Sequence, residues 1–216
     1  MYDPQARILI FSKVPEAGRV KTRLIPWLGA EGAARLYEEL LTGLLTRITA
    51  LPVAPLEMWC TPVTDVPFFR ELAERFQVEL RQQTGADLGE RLRHAAEDAL
   101  GRSDRVVLIG ADCPEMDAAF LDRALCTLND RDAVLGPAED GGYVLLGLKR
   151  AAKELFFDLP WGEPRVAEMT RARMLDLGWD WEELPELWDV DRPEDVDRYL
   201  KRVESSEDQG PRARGA

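Results

Sequence analysis

The chain has 216 residues, 45% of them apolar and 31% charged, and sets 40 Asp and Glu against 28 Lys and Arg for a formal net charge of −12. That length suffices for a buried core and one globular domain. Binding a polyanion requires a broad cationic surface, so this balance excludes nucleic acid and anionic membrane as expected partners.

The N-terminal stretch MYDPQARILIFSK lacks the cationic start and long apolar core of a secretory leader. No apolar run approaches the ~18 residues of a membrane span. Cys60, Cys113 and Cys126 are widely spaced with no C-x-x-C pair, which points to reduced thiols. A soluble, cytoplasmic protein is expected. The lone histidine, His94, sits within a helical pattern, which argues against a Ser-His-Asp or metal-histidine mechanism.

The first predicted strand, RILIF (7–11), runs straight into KVPEAGRVKTRL, where Lys13, Arg19, Lys21 and Arg23 face the single acid Glu16. Four cations at the carboxyl end of a strand suit a compact ligand with two or three phosphates. Gly18 permits close backbone approach there, and Pro15 stiffens the turn. The alternative is a solvated turn whose cations pair with nearby acids. Neither G-x-x-x-x-G-K-[ST] nor G-x-G-x-x-G is present.

Helical spacing then covers Ala30 to Ala50, followed by a strand at 56–60, a helix from Val66 to Phe76 and a strand at 78–80. TGADLGERL contains an Asp87-x-x-Glu90 capping box that opens the next helix, Asp87 to Leu100. Capping is its default role, while Gly85 and Gly89 allow that helix start, with Asp87, to approach a bound nucleotide.

Strand RVVLIG (105–110) leads into ADCPEMD, placing Asp112 just past a buried strand. A carboxylate there either holds a divalent metal against phosphates or caps the following turn. A helix from Asp117 to Leu128 follows. Strands 133–138 and 143–148, joined by EDGG, break the alternation and suggest an antiparallel insertion. Within GPAEDGGYVLLGL, Asp140, Gly141, Gly142 and Tyr143 either form an ordinary hairpin turn or contact a sugar or acceptor, with Asp140 accepting hydroxyl hydrogens or acting as a base.

Helices near Ala151–Phe157 and Arg165–Leu177, a strand near Trp181–Leu187 and a closing helix over Pro193–Val203 complete residues 1–203, and the polar tail 204–216 is expected to be disordered. In WDVDRPEDVDRYL an extended backbone puts Asp189 and Asp191 on one side, where they suit Mg²⁺. Asp191-Arg-Pro-Glu194 also reads as a D-x-x-E cap. The six tryptophans supply core packing or a stacking surface for a base. The alternation predicts an α/β fold, an open and mostly parallel sheet with helices on both faces and ligands beyond the strands' carboxyl ends.

Taken in order, FSKVPEAGRVKTRL, QTGADLGER, GADCP, GPAEDGGYVLLGL, PW and DVDRPED resemble a bacterial family of GT-A-type, glycosyltransferase-like proteins among the nucleotide-diphosphosugar transferases. The resemblance spans nearly the whole chain up to the tail. Val20–Leu24 is also similar to the A-K-T-R-L loop of phospholactate guanylyltransferases. The resemblance implies a Rossmann-like three-layer α/β/α sandwich, Mg²⁺ or Mn²⁺ held by Asp112 and Asp191 with Asp189, and phosphate contacts from Lys21 and Arg23. It further implies a nucleotide sugar or nucleoside triphosphate and a small acceptor as partners, with glycosyl transfer first, nucleotidyl transfer as the alternative and noncatalytic nucleotide binding as a third reading. The pattern departs at Trp161-Gly162-Glu163, where the family has Ser and Thr after the Trp.

Overall fold

The computed structural model describes residues 2–207, with side chains through 205. Seven strands, β1 (Ala6–Lys13), β2 (Leu56–Thr61), β3 (Glu79–Gln82), β4 (Arg105–Ile109), β5 (Ala133–Pro137), β6 (Tyr143–Leu148) and β7 (Trp181–Glu183), form one sheet. Their order is β3-β2-β1-β4-β6-β5-β7. Only β6 runs against the others, pairing antiparallel with both β4 and β5. The expected insertion is therefore a strand slipped between two parallel neighbours by a tight turn.

Six helices flank the sheet: α1 (Ile25–Thr49), α2 (Pro67–Phe76), α3 (Leu88–Leu100), α4 (Ala118–Asp130), α5 (Val166–Asp176) and α6 (Pro193–Glu207). Period-two alternation sends Ile8 and Ile10 of β1 to a core formed with α1, α2 and α4, and Leu9 to the opposite core with α3 and α5. Central strands are buried on both faces, which is why they read as near-continuous apolar runs. A third, smaller cluster joins Leu24, Leu36 and Leu40 to Trp188, Val190 and Val196. It fastens the end of the basic loop to the segment before α6.

Several boundaries depart from the sequence expectation, beginning with α1, which starts at Ile25 rather than Ala30 and kinks at Gly29, φ 71°. The helix expected near Ala151–Phe157 is a single 3-10 turn, Lys153–Leu155, because Asp158 takes a left-handed φ of 52° and Pro160 follows directly. The last strand stops at Glu183, since Pro185 cannot donate to the ladder, and pairing resumes only at the Ala138–Leu187 bridge. The closing helix runs on to Glu207, through residues expected in the tail, because no Gly or Pro interrupts it before Gly210. The rest of that expected tail, 208–216, lies outside the described residues. No helix among the described residues is long and apolar enough to cross a membrane.

Helix α3 lies close to the segment carrying Trp161. A Cβ on Gly89 would stand 2.2 Å from the Phe156 carbonyl oxygen and 2.9 Å from Trp161 Nε1. Both are nonbonded clashes, the shorter of them with backbone that cannot swing aside. Gly89→Ala should therefore destabilise the protein by about 2–3 kcal/mol in urea unfolding; a loss below ~0.5 kcal/mol would contradict this packing.

Candidate active site

The basic loop leaves β1 as a series of tight turns. The Lys13 amide donates to the Tyr37 hydroxyl at 2.9 Å, and the Arg19 amide donates to the Glu16 carbonyl at 2.9 Å. Gly18 has φ +85°, and the exposed Arg19 guanidinium pairs with Glu16 at 3.0 Å. Lys21 adopts the left-handed conformation, φ 45° and ψ 43°, which is strained for a side chain of this size. That conformation turns its ammonium inward to Asp112, Nζ to Oδ2 2.6 Å, with only 6% of the side chain exposed. Burial alone would lower the lysine pKa, but the carboxylates of Asp112, Asp191 and Asp189 outweigh it and raise the value. Lys21 is a buried, permanent cation.

Asp112 follows β4 in a loop held by Arg47 of α1, whose guanidinium donates to the carbonyls of Met116 at 3.0 Å and Cys113 at 3.1 Å. The Asp112 carbonyl in turn accepts the Val190 amide at 3.1 Å. That bond sets the 189–191 segment beside it. Asp191 pairs with Arg23. The expected Asp191–Glu194 cap is not formed: Asp195 Oδ2 accepts the amides of Arg192 at 2.7 Å and Asp191 at 3.1 Å. With a carboxylate three residues beyond Arg192 satisfying the first amides, the Asp191 side chain is left to the site.

Asp140 lies in the β5–β6 turn, where its Oδ1 accepts the Gly142 amide at 2.8 Å. The turn is pressed onto the opposite wall. Gly141 has φ +86°, and a Cβ there would stand 2.2 Å from the Pro164 carbonyl oxygen, so no other residue fits. Ordinary turn and placement of Asp140 coexist in this geometry.

Two adjoining cavities open beyond the carboxyl ends of β1 and β4. The first, of about 470 Å³, is lined by five cations, Lys13, Arg19, Lys21, Arg23 and Arg91, against the carboxylates of Asp112 and Asp191. The second, of about 350 Å³, reverses the sign: Asp112, Asp140, Glu163, Asp189 and Asp191 face only Arg23. Its floor is aromatic, with Tyr143 and Trp161 packed edge to face at 6.1 Å between centroids. Asp112, Asp191 and Arg23 belong to both linings. The Lys21–Asp112 and Arg23–Asp191 pairs thus stand at the border between a cationic and an acidic chamber.

Of the residues singled out from sequence, Lys13, Arg19, Lys21 and Arg23 line the cationic chamber, and Asp140, Gly142, Tyr143 and Asp189 line the acidic one. Gly18, Gly141 and Asp87 line neither. Asp87 instead caps α3, accepting the Glu90 amide at 2.8 Å, while Glu90 reaches back to the Ala86 amide at 2.8 Å. Gln83, Arg91 and Glu163 line the chambers without having been singled out as ligand contacts, and Trp161, one of the tryptophans offered as packing or a stacking surface, lines the acidic one; a Gln pair at the end of β3, directly before TGAD, was the available signal. Trp59, Trp179 and Trp188 are buried as expected, but Trp27 is 56% exposed. As placed, Asp112 and Asp191 turn to their cationic partners, and among the described residues no three acidic, thiol or imidazole side chains stand together in metal-holding geometry.

Residues 44–163 match a sequence family described as "Uncharacterized protein conserved in bacteria (DUF2064)". The chain belongs to this family. The DUF2064 chain is 33% identical to a protein of Desulfovibrio desulfuricans G20 provisionally named a nucleotide-diphospho-sugar transferase, over 97% of this chain and 92% of that one, with a TM-score of 0.85. A cytidylyltransferase from Leptospira borgpetersenii serovar Hardjo-bovis shares the fold at 16% identity, 94% and 88% coverage and a TM-score of 0.62. Glucosyl-3-phosphoglycerate synthase from Mycobacterium tuberculosis does so at 14% identity, 92% and 76% coverage and a TM-score of 0.55. No curated protein matches the sequence. The DUF2064 fold is accordingly the α/β Rossmann-like, GT-A-type fold shared by glycosyl and nucleotidyl transferases.

Of Asp112, Asp189 and Asp191, Asp189 is the one with no ion-pair partner among the described residues. Burial first, then Asp112 and Asp140, push its pKa up to about 7. The folded value lies above the ordinary carboxylate range, so the charge destabilises the fold increasingly as pH rises from about 4 to about 7 and fully above it. Asp189→Asn should stabilise the protein in EDTA by about 1–2 kcal/mol at pH 8, with the gain gone near pH 4. Chemical denaturation at the two pH values measures this.

Proposed function

We propose that this protein transfers a sugar from a nucleotide sugar to a small acceptor with the help of a divalent metal. The observation that carries the reading is the reversal of charge across the Lys21–Asp112 and Arg23–Asp191 pairs. Five cations suit a nucleoside diphosphate, whereas an acidic, aromatic-floored chamber suits hydroxyls and repels a phosphorylated acceptor.

In this mechanism Lys21 and Arg23 exchange carboxylate partners for phosphate oxygens and stabilise the negative charge that grows on the departing diphosphate. Lys13, Arg19 and Arg91 hold the remaining phosphate charge. Asp140 sits where it accepts a hydrogen bond from the sugar or serves as base for the acceptor hydroxyl. Trp161 and Tyr143 provide an apolar platform and exclude water.

Asp112 and Asp191, with Asp189, offer the oxygen donors that Mg²⁺ or Mn²⁺ requires, and such an ion needs only one or two carboxylates besides phosphate and water. The uncompensated charge around Asp189 fits a cation at this point. When bound there, the ion supplies positive charge to phosphate oxygens as they leave. The Mycobacterium tuberculosis synthase of the same fold holds Mn²⁺, UDP and glucosyl-3-phosphoglycerate, which supports the metal and the nucleotide donor though not an unphosphorylated acceptor.

Nucleotidyl transfer is the second reading, favoured by the cation density of the loop, which also suits a triphosphate, and by the cytidylyltransferase of the same fold. Incubation with Mn²⁺ and a panel of nucleotide sugars or triphosphates separates the two. Release of nucleoside diphosphate from a nucleotide sugar, reduced about 10²-fold or more in Lys21→Met, is expected. Pyrophosphate released from a triphosphate, with no turnover of nucleotide sugars, would replace glycosyl transfer by the second reading.

A further inference from the structure

Gln83 directly follows β3 and lines the cationic chamber, yet only 8% of it is exposed. Its backbone amide donates to the Cys60 carbonyl at 2.9 Å. Its side-chain nitrogen donates to the Ser12 carbonyl at 3.0 Å and the Trp59 carbonyl at 2.7 Å. Those two carbonyls lie in the carboxyl-terminal halves of β1 and β2, neighbouring strands of the sheet. Both amide hydrogens are therefore committed to fixed backbone acceptors.

Two consequences follow for the other end of the amide. Its orientation is fixed, because a flip would point an oxygen at two carbonyl oxygens. Its Oε1 has no hydrogen-bond donor among the described residues, and it is not one of the fully buried side-chain atoms left unpaired. The oxygen thus keeps accessible surface on a residue that lines the chamber, as a hydrogen-bond acceptor that cannot turn into a donor.

We propose that Gln83 reads the nucleobase of the donor and selects one whose ring nitrogen on the pairing edge carries a hydrogen. Uracil N3–H and guanine N1–H donate to such an oxygen. The corresponding nitrogens of cytosine and adenine are acceptors, so these bases reach the oxygen only with their exocyclic amino groups, from a shifted position that the fixed amide does not follow. A site built to accept an N–H discriminates strongly against an analogue lacking it, because its own buried polar group is left unpaired. The inference rests on nucleotide binding in the cationic chamber and adds to it the class of base.

The test is a thermal-shift titration of the full chain with Mn²⁺ and, separately, UDP, GDP, IDP, CDP, ADP and inorganic pyrophosphate, with Kd taken from the concentration dependence. IDP keeps the N1–H of guanine and lacks its amino group, so it isolates the ring hydrogen. UDP, GDP and IDP should bind at least about tenfold more tightly than CDP and ADP. In Gln83→Met that preference should collapse to within about twofold, with pyrophosphate binding retained as the sign that the cationic chamber is intact. Equal binding of all five nucleotides, or preference for CDP or ADP, by the wild-type protein would overturn the base assignment while leaving nucleotide binding standing. No shift with any nucleotide or with pyrophosphate would overturn both. The wild-type series decides the matter even if Gln83→Met does not fold.

Discussion

The apolar contact of Leu24, Leu36 and Leu40 with Trp188, Val190 and Val196 is the constraint on which the site depends. Arg23 and Asp191 are separated by 168 positions in the chain and have no local reason to meet. Burial of each large apolar side chain in that cluster contributes on the order of 1.5–3 kcal/mol. An exposed ion pair contributes about 0–1 kcal/mol, and the Arg23 side chain is 57% exposed. Packing therefore holds the basic loop against the C-terminal acids, and the ion pairs form on a frame already built. Arg47 does the same for Asp112 by fastening its loop to α1.

That frame imposes an electrostatic conflict. Asp112, Asp189 and Asp191 converge with Asp140 around one crevice, and the fold supplies Lys21 and Arg23 for two of them. Asp189 has no such partner, and burial, with the charges of Asp112 and Asp140, holds its proton above the ordinary range. In the free protein the two cations serve as stand-ins that keep the carboxylates apart; with a phosphorylated ligand present the same cations have a better partner. A strained, left-handed Lys21 fits a residue poised between two sets of oxygens.

Much of this was legible in the sequence because α/β folds advertise themselves locally. Doubly buried strands give apolar runs, helices give 3.6-residue spacing, and the loops after strands carry the ligand chemistry, so Lys21, Arg23, Asp112 and Asp191 could be named from position and charge. What was hidden is what depends on distant partners. Asp191-x-x-Glu194 has the form of a cap, but Asp195 wins the amides, and a one-residue choice of that kind is made by the packing of Val190 and Val196. Trp161 reads from sequence as packing or a stacking surface and Glu163 as a family irregularity; the contact of Trp161 with α3 at Gly89 and its place with Glu163 in the acidic chamber come only from the folded chain. Gln83 carries no charge, and its role comes from two carbonyls on other strands.

The central claim is that Lys21 and a metal compete for the same carboxylate. Titration of Mn²⁺ alone into the wild-type protein and Lys21→Met, followed by calorimetry or by the electron paramagnetic resonance of free Mn²⁺, addresses it directly. Removing the lysine leaves Asp112 unpaired, so the variant should bind Mn²⁺ about tenfold or more tightly than the wild type while catalysing transfer more slowly. Unchanged or weaker Mn²⁺ binding in a folded Lys21→Met protein would contradict the account.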